Sequence, residues 1–579
     1  MNMKKNTVFF FLFCAIFVLK AQNIQHDDIK TVLNTLDQEA AFVTYNTNVL
    51  LVGESFFYKF HALNKTNKPS VISRIGYIEL VNESLEVVAR QQLQLINGMA
   101  YGDIFMPTAI PSGNYKLLAY TQWMKNWGVD SFFQSDITII NPFQSNQKAI
   151  LNNSAAAIAP ISHLRTETNN IGLSFQLEKD VFSKREKVRV DFNSNTDDVI
   201  HGNYTMLVRK KESLSNTFLA LPTTKAKPTP KALPNATFYV PEMRGELVCG
   251  KIIAKKNLLL IDNKKVALSI LNTDYQLKIA STDSNGNFCI SISDNPLDKK
   301  GILQVLGDDE GNYDIVLNEK SGIDYGQLVF KKFELDASMK QSILNRSIHN
   351  QIENAFYSIK PDTIKMPTKR LPFYGKVGTT YLLDDYTRFP SFRETVIEII
   401  SNVRITNKGL NKNDILVTGI KENYNDGAYK PLIVVDGIVV QDVDDLIGYN
   451  ANKIKSITVV REKYMVGAYV FAGIFDVITF EQDFAQTYAN SKNKEIIFNT
   501  NVNHKVYFKQ QYESAVAEKY SHIPDYRHQL YWNPEFTVSA PETTFDFYTS
   551  DVSGVFQVTL LGFSKSGKFI QVQRNFEVE

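Results

Sequence analysis

The stretch PLIVVDGIVVQDVDDLIGYNANKIKSITVVREKYMVGAYVFAGIFDVITF, from Pro431 to Phe480, decides the fold of the segment it lies in. An apolar strand from Leu432 to Val435 runs into Asp436-Gly437, whose glycine takes positive φ at no steric cost, and a second strand returns through Ile438 to Val440. The spacing predicts a tight hairpin. After the acidic patch Asp442, Asp444 and Asp445, the alternating run Ile454 to Arg461 predicts a strand. Beyond Gly467 and Gly473 comes a closing apolar strand, Val477 to Phe480.

This order resembles the plug domain of TonB-dependent outer-membrane receptors, where a PLIVVDG hairpin is followed by an alternating strand, a Tyr-Gly segment and a closing apolar strand. It departs from that pattern where Tyr464-Met465-Val466-Gly467 stands for Tyr-Gly and where Gly473-Ile474-Phe475-Asp476 interrupts the last motif. The run TYLLDDYTRFPSFRETVIEIISNVRI, Thr380 to Ile405, resembles the front half of the same plug-like region in exported multi-domain proteins. The resemblance implies a plug-like α/β domain at 372–480, with Asp436, Gly437, Asp442, Asp444, Asp445, Tyr464, Gly467 and Gly473 as interaction residues. The implied partner is an outer-membrane β-barrel protein or an export complex. A large transport barrel needs some twenty strands of roughly ten residues. The 99 residues after Phe480 leave no room for one and lack repeated outward alternation with aromatic girdles. A plug-like module without its own pore is therefore expected.

The start MNMKKNTVFFFLFCAIFVLKAQ carries Lys4 and Lys5, an apolar run from Val8 to Leu19, and Ala21 before Gln22. This is the pattern of a secretory signal peptide, residues 1–21. Cys14 sits inside the apolar run behind Phe13, where a lipid-attachment site wants a small residue. No later segment offers the roughly 20 apolar residues a bilayer-crossing helix needs. An exported chain is expected, in the periplasm or at the outer membrane, with the cell surface as the alternative. The 63 basic and 61 acidic residues nearly cancel, and no basic stripe is interleaved with aromatics, so nucleic acid is not an expected partner. An aromatic content of 12% suits half-buried pleated surfaces and points to a β-rich chain.

The fold class expected is mainly β, several sandwiches with one α/β plug-like domain. Residues 22–145 read as short alternating strands, with Ser55 to Phe60 one of them and Tyr115 to Trp123 another, entered from the turn Pro111-Ser112-Gly113-Asn114. The run GDIFMPTAIPSGNYKLLAYTQWMKN is similar to the late strands of macroglobulin MG2 domains, which implies a β-sandwich. A linker at 146–170 precedes a second macroglobulin-like sandwich at 171–243, with strands at Lys187 to Phe192 and Tyr204 to Arg209. The Pro- and Lys-rich segment Leu221 to Pro234 reads as a solvated loop. Residues 244–320 resemble the carboxypeptidase regulatory-like domain, a transthyretin-like sandwich, through the turn Thr282-Asp283-Ser284-Asn285-Gly286-Asn287-Phe288. That resemblance implies a structural module without catalytic residues.

A helical connector is expected at 321–371, because Leu335, Met339, Ile343 and then Ile348, Ile352, Phe356 recur at i, i+4 and predict an amphipathic helix over 336–358. Ser391-Phe392-Arg393-Glu394 has capping-box spacing and starts a helix carrying Phe392, Val396, Ile399 and Ile400 on one side. Residues 481–579 return to β and predict a further Ig- or macroglobulin-like sandwich, in which Trp532 is a core anchor.

No catalytic constellation emerges. The eight histidines are scattered, and there is no H-E-x-x-H, G-x-S-x-G, P-loop or dinucleotide glycine motif. Neither Cys249 nor Cys289 sits in a thioester sequence, which excludes the protease-trapping mechanism of macroglobulins. The two cysteines can form one disulfide in an oxidising compartment or remain buried thiols; they lack the neighbours of a zinc site. Asp283, Asn285 and Asn287 evoke a cation loop, but an Asx-Gly turn needs no metal. Paired carboxylates among Asp436, Asp442, Asp444 and Asp445 would suit a glycan hydrolase; against that, Asp436 reads as a turn residue and Asp442 to Asp445 as the first turn of a helix. Neither metal nor cofactor is expected. The expectation is a non-enzymatic scaffold docking through its plug-like domain, with a ligand-binding or adhesive protein and an envelope hydrolase as alternatives.

Overall fold

The computed structural model describes residues 37–151, 173–194, 196–212, 214, 238–257, 259–271, 275–292, 300–318, 322–365, 371–407, 412–420, 429–467, 469–484, 493–513 and 520–579. The signal-peptide segment with Cys14, nearly all of the 146–170 linker and the Leu221 to Pro234 loop lie outside these residues. The fold is mostly β-strand, arranged as several packed sheets.

Strict alternation in the first module places Phe56, Tyr58 and Phe60 of the strand Ser55–Leu63 on one side, as the two-residue period of a strand requires. That strand lies between Ala40–Tyr45 and Met99–Phe105. The facing sheet has the order Val49–Leu51, Phe133–Ile140, Gly113–Tyr120, Ile75–Asn82, Val87–Gln94. Ile78, Leu80, Leu117, Ile137 and Ile139 of that sheet close the core.

The second sandwich differs from the expectation of separate sandwiches at 171–243 and 481–579. One five-stranded sheet takes Val181–Phe182 and Asn203–Lys210 from the earlier segment, and Gln529–Phe536, Gly554–Phe563 and Phe569–Val578 from the later one. Its partner sheet sets Glu542–Tyr548 against Lys187–Ser194, with Leu173–Leu177 beyond. Each half brings only part of two sheets, and each exposes an apolar face until the other covers it. Val188, Val190, Phe192, Met206 and Val208 meet Phe545, Phe556, Val558, Leu560 and Ile570 in one core. Residues 211–528 are thus an insertion within a single sandwich.

Inside the insertion is a small sandwich. Glu246–Ala254 lies between Asn287–Ile292 and Tyr313–Leu317, facing the sheet Gln276–Ser281, Lys265–Ile270, Lys300–Leu306, Lys494–Ile497. The last strand comes from beyond the 244–320 segment and pairs with Lys300–Leu306. Cys249 and Cys289 sit directly opposite each other on adjacent strands and form a disulfide, Cα–Cα 4.1 Å. The Asx turn holds by itself: the Asp283 carboxylate accepts from the backbone N–H of Asn285 (2.9 Å) and of Asn287 (2.8 Å).

The connector holds helix α1 (Lys340–Ala355), and only the front of the apolar stripe docks, with Leu335 and Ile343 against Val49, Leu51, Ile140 and Ile150 of the first sandwich. Leu344 and Ile348 are exposed, whereas Arg346 is 1% exposed. Arg346, Asn350 and Asn354, four residues apart, lie on one side of the helix against the first sandwich; the Asn350 and Asn354 amides donate to the Val52 and Gly53 carbonyls at 3.1 and 2.8 Å.

The α/β module is a mixed sheet with the order Thr379–Leu382, Ile454–Val460, Ile474–Thr479, Leu432–Val435, Ile438–Val439. Leu432–Val435 runs parallel to Ile474–Thr479 and is buried at every position, which explains its continuous apolar run. One face is covered by helix α2 (Phe392–Ile399) and the hairpin Val403–Asn407/Asn413–Val417. The other packs on Ala267, Tyr275, Leu277 and Ile279 of the small sandwich. α2 begins at its capping box: Ser391 Oγ accepts from the Glu394 N–H and donates to its carboxylate.

Among the described residues, no helix is long and apolar enough to cross a membrane.

Candidate functional site

The Asp436-Gly437 pair forms the hairpin loop with φ of 47° and 88°, the two positive values of a type I′ turn. Asp436 is buried, and its carboxylate accepts from Thr479 N–H (2.8 Å), Thr479 Oγ1 (2.6 Å) and Phe484 N–H (3.3 Å). Burial raises its pKa above the ordinary carboxylate value, and those hydrogen bonds offset part of the rise. Asp436 therefore ties the closing strand to the hairpin.

Gly437 and Gly467 share a task that the motif alone does not disclose. Both face the small sandwich, where a Cβ on Gly437 would lie 2.7 Å from Tyr275 Cβ and one on Gly467 only 2.1 Å from the Ile279 carbonyl oxygen. Gly473 abuts Val460 and Val417 within its own module. Tyr464 donates to the Phe373 carbonyl at 2.7 Å. The acidic patch opens the short helix α3 (Asp444–Ile447): the Asp442 carboxylate accepts from Asp444 N–H, and Asp444 accepts from Asn413 of the hairpin. These eight residues do not converge on one site. Asp445 is exposed, and the other seven hold the module together or join it to its neighbour.

Asp476, at the point where the closing motif is interrupted, escaped selection from sequence. It is 1% exposed and receives the Tyr374 hydroxyl at 2.5 Å and that of Tyr275 from the small sandwich on the same oxygen, Oδ2. Its Oδ1 is buried without a partner. Burial pushes its pKa up to about 6, against the lowering effect of the two hydroxyls. The sequence signal was a lone acid inside an apolar strand.

A second buried polar cluster joins the two large sandwiches through α1. Arg346 Nε and Nη2 grip the two Glu54 oxygens at 2.7 Å each, and Nη1 reaches Glu212 at 2.8 Å. Glu212 in turn bonds His528 Nδ1 (2.7 Å), and His528 Nε2 meets His349 Nδ1 of α1 (2.9 Å). Burial raises the Glu54 and Glu212 pKa values, but the Arg346 charge, the hydrogen bonds each accepts and the Arg209 charge together outweigh it and hold both below the ordinary range. Burial lowers the His528 pKa despite Glu212, so the ring is neutral at neutral pH. Beside this cluster lies a cavity of about 260 Å³ between the sandwiches and α1, lined by Arg209, Arg346, Phe57, Tyr507, Gln529 and Trp532 among others. Trp532 is the buried anchor the sequence predicts, and it also walls this cavity.

Among the described residues no group of three or more His, Cys, Asp or Glu is placed to hold a metal ion. No family model matches the chain, and no curated protein matches it. Among solved structures it is similar to Salmonella alpha-2-macroglobulin reacted with methylamine, at 8% identity and a TM-score of 0.22 over 93% of this chain and 39% of that one. Trypsin-activated alpha-2-macroglobulin from Escherichia coli gives 8% identity and 0.23 over 93% and 41%. The Escherichia coli adhesin FdeC gives 7% and 0.15 over 49% and 65%. The chain spans less than half the length of those macroglobulins. At scores this low nothing about activity or partners rests on the likeness.

Proposed function

We propose that this chain is a non-enzymatic binding protein of the bacterial envelope that docks on an outer-membrane β-barrel or export complex through its 372–480 module. The observation that carries the reading is the strand Thr379–Leu382. Among the described residues it pairs only on one side, with Ile454–Val460, and it is largely exposed. An unpaired strand edge offers backbone donors and acceptors to an incoming strand, and Thr-Thr-Tyr-Leu carries no charge to discourage one. Val377, Leu382 and Tyr386 expose apolar surface in and beside that edge, and Ile397, Leu416 and Met465 expose more on the same module. Of the acids that would serve a hydrolase, Asp436, Asp442 and Asp444 are engaged in holding strand and helix ends. The Cys249–Cys289 disulfide supports passage through an oxidising compartment.

The test replaces Val377 and Leu382 together by lysine. Such surface changes alter stability by about 0.5 kcal/mol or less, so thermal unfolding should stay in place while co-purification with a barrel protein from outer-membrane extracts is lost. Unchanged co-purification contradicts the reading.

A further inference from the structure

We infer that the Cys249–Cys289 bridge is a thiol–disulfide exchange site, opened at Cys289 by an exported protein dithiol of the Cys-x-x-Cys class. The bridge lies on the outward face of the small sandwich. Ile252 of Glu246–Ala254 and Phe288, Ile290 and Ile292 of Asn287–Ile292 point into the core, so the two-residue period turns Cys249 and Cys289 the other way. Cys289 is exposed and Cys249 half-buried. A disulfide that solvent reaches is open to exchange, whereas one sealed in a core is not.

The register decides which sulfur is attacked. A thiolate approaches a disulfide along the S–S axis, from the side away from the departing sulfur. Among the described residues Asn287–Ile292 pairs on one side only, as the edge of its three-stranded sheet, which leaves the approach to Cys289 open. On the far side of Cys249 stands the neighbouring strand Tyr313–Leu317, followed by Asn318, whose N–H bonds the Cys249 carbonyl at 3.0 Å. Cys249 is therefore the leaving group. Lys251, exposed two positions further along the same face, places positive charge beside the departing thiolate, and a stabilised thiolate leaves faster.

The surroundings suit a protein partner. Ile253 and Val316 are each 48% exposed, and Val316 sits opposite Lys251 on the next strand. They give the face of the bridge an apolar flank that a folded partner covers and a small thiol does not. The step balances. The partner's first thiolate bonds Cys289 Sγ, the Cys249–Cys289 bond breaks, and Cys249 departs as a thiolate and takes a proton. The partner's second cysteine, deprotonated, then attacks its own first sulfur and releases Cys289, which takes a proton. The partner is oxidised to its disulfide and the bridge is reduced to two thiols. Opening unties an edge strand that supplies Phe288, Ile290 and Ile292 to the core.

The test incubates the chain from residue 22 onwards, in native buffer, with reduced thioredoxin whose second active-site cysteine is replaced by serine, so that a mixed disulfide cannot resolve. Cys249 and Cys289 are the only cysteines in that chain, and peptide mapping after iodoacetamide tells them apart. A mixed disulfide on Cys289 with Cys249 alkylated is expected. Intact thioredoxin should open the bridge, with glutathione at equal thiol concentration slower by about tenfold or more and Lys251→Glu slowing the thioredoxin reaction by about threefold or more. The substitution is on an exposed side chain, so thermal unfolding should be unchanged. No mixed disulfide, one formed on Cys249, a glutathione rate equal to that of thioredoxin, or an unchanged rate in Lys251→Glu overturns the inference.

Discussion

Leu207 and Trp532 face each other across adjacent antiparallel strands. The chain therefore leaves the second sandwich after Lys210, builds the small sandwich, α1 and the α/β module, and returns to complete the sheet it left. The Trp532 ring packs in one cluster with Leu207, Tyr507 and Tyr101. Trp532→Ala should cost about 3–5 kcal/mol, the range for truncating a buried aromatic. Hydrogen exchange should then show lost protection in Asn203–Lys210, hundreds of residues upstream, as well as in Gln529–Phe536. Loss confined to the later strand would count against a single cooperative sandwich.

Arg346 holds α1 to both sandwiches from a fully buried position. Arg346→Met leaves Glu54 and Glu212 buried without their cation, and the expected loss is about 3–5 kcal/mol in denaturant unfolding. Arg346→Lys should recover little of it, since an ammonium cannot form the paired contact with Glu54. Recovery by lysine would show that charge alone matters there.

Asp476 makes the contact between the small sandwich and the α/β module sensitive to pH. Its folded pKa of about 6 lies above the unfolded value near 3.8, so the folded state binds more protons between the two. Stability from this group is therefore highest below the unfolded pKa and falls as pH rises towards 6, by about 3 kcal/mol in all. Asp476→Asn keeps an acceptor for Tyr275 and Tyr374 without the buried charge. The difference in unfolding free energy between variant and parent should widen from pH 4 to 6 and then level off. Parallel curves would show that Asp476 titrates at its ordinary value.

Gly467 has φ of 58° and lies against the Ile279 backbone. Gly467→Ala should destabilise by more than about 1 kcal/mol, from backbone strain and from the clash together. Its effect should appear as faster proteolysis where the small sandwich meets the α/β module, while the first sandwich keeps its resistance. Resistance equal to the parent's throughout would mean that the two modules do not need this close approach.

Local features were legible because local chemistry carries them. The Asp436-Gly437 hairpin, the Ser391 capping box and the Asp283 turn each depend on residues within a few positions, and each is present. The sandwich closed by Leu207 and Trp532 was not legible as one unit, since pairing at that separation leaves no periodic trace in either strand. The docking face of α1 was legible only in part. Apolar spacing marks Ile343, which packs, and Ile348, which is exposed, whereas the fully buried side chain is Arg346, whose burial depends on Glu54 and Glu212 from two distant loops. Asp436 and Gly467 stood out as motif residues, but only the structure shows them bracing their own module and its neighbour. Arg209, Tyr507 and Trp532 come from three separated segments and line one cavity through the fold alone.

Docking through the 372–480 module carries the proposed function. The most direct measurement is a pull-down of the C-terminally tagged chain from detergent-solubilised outer membranes, with crosslinking mass spectrometry on the material recovered. The expected result is a stoichiometric β-barrel partner crosslinked near the Thr379–Leu382 edge, through residues such as Lys376. A clean monomer, or a partner crosslinked only to the first sandwich, would contradict it.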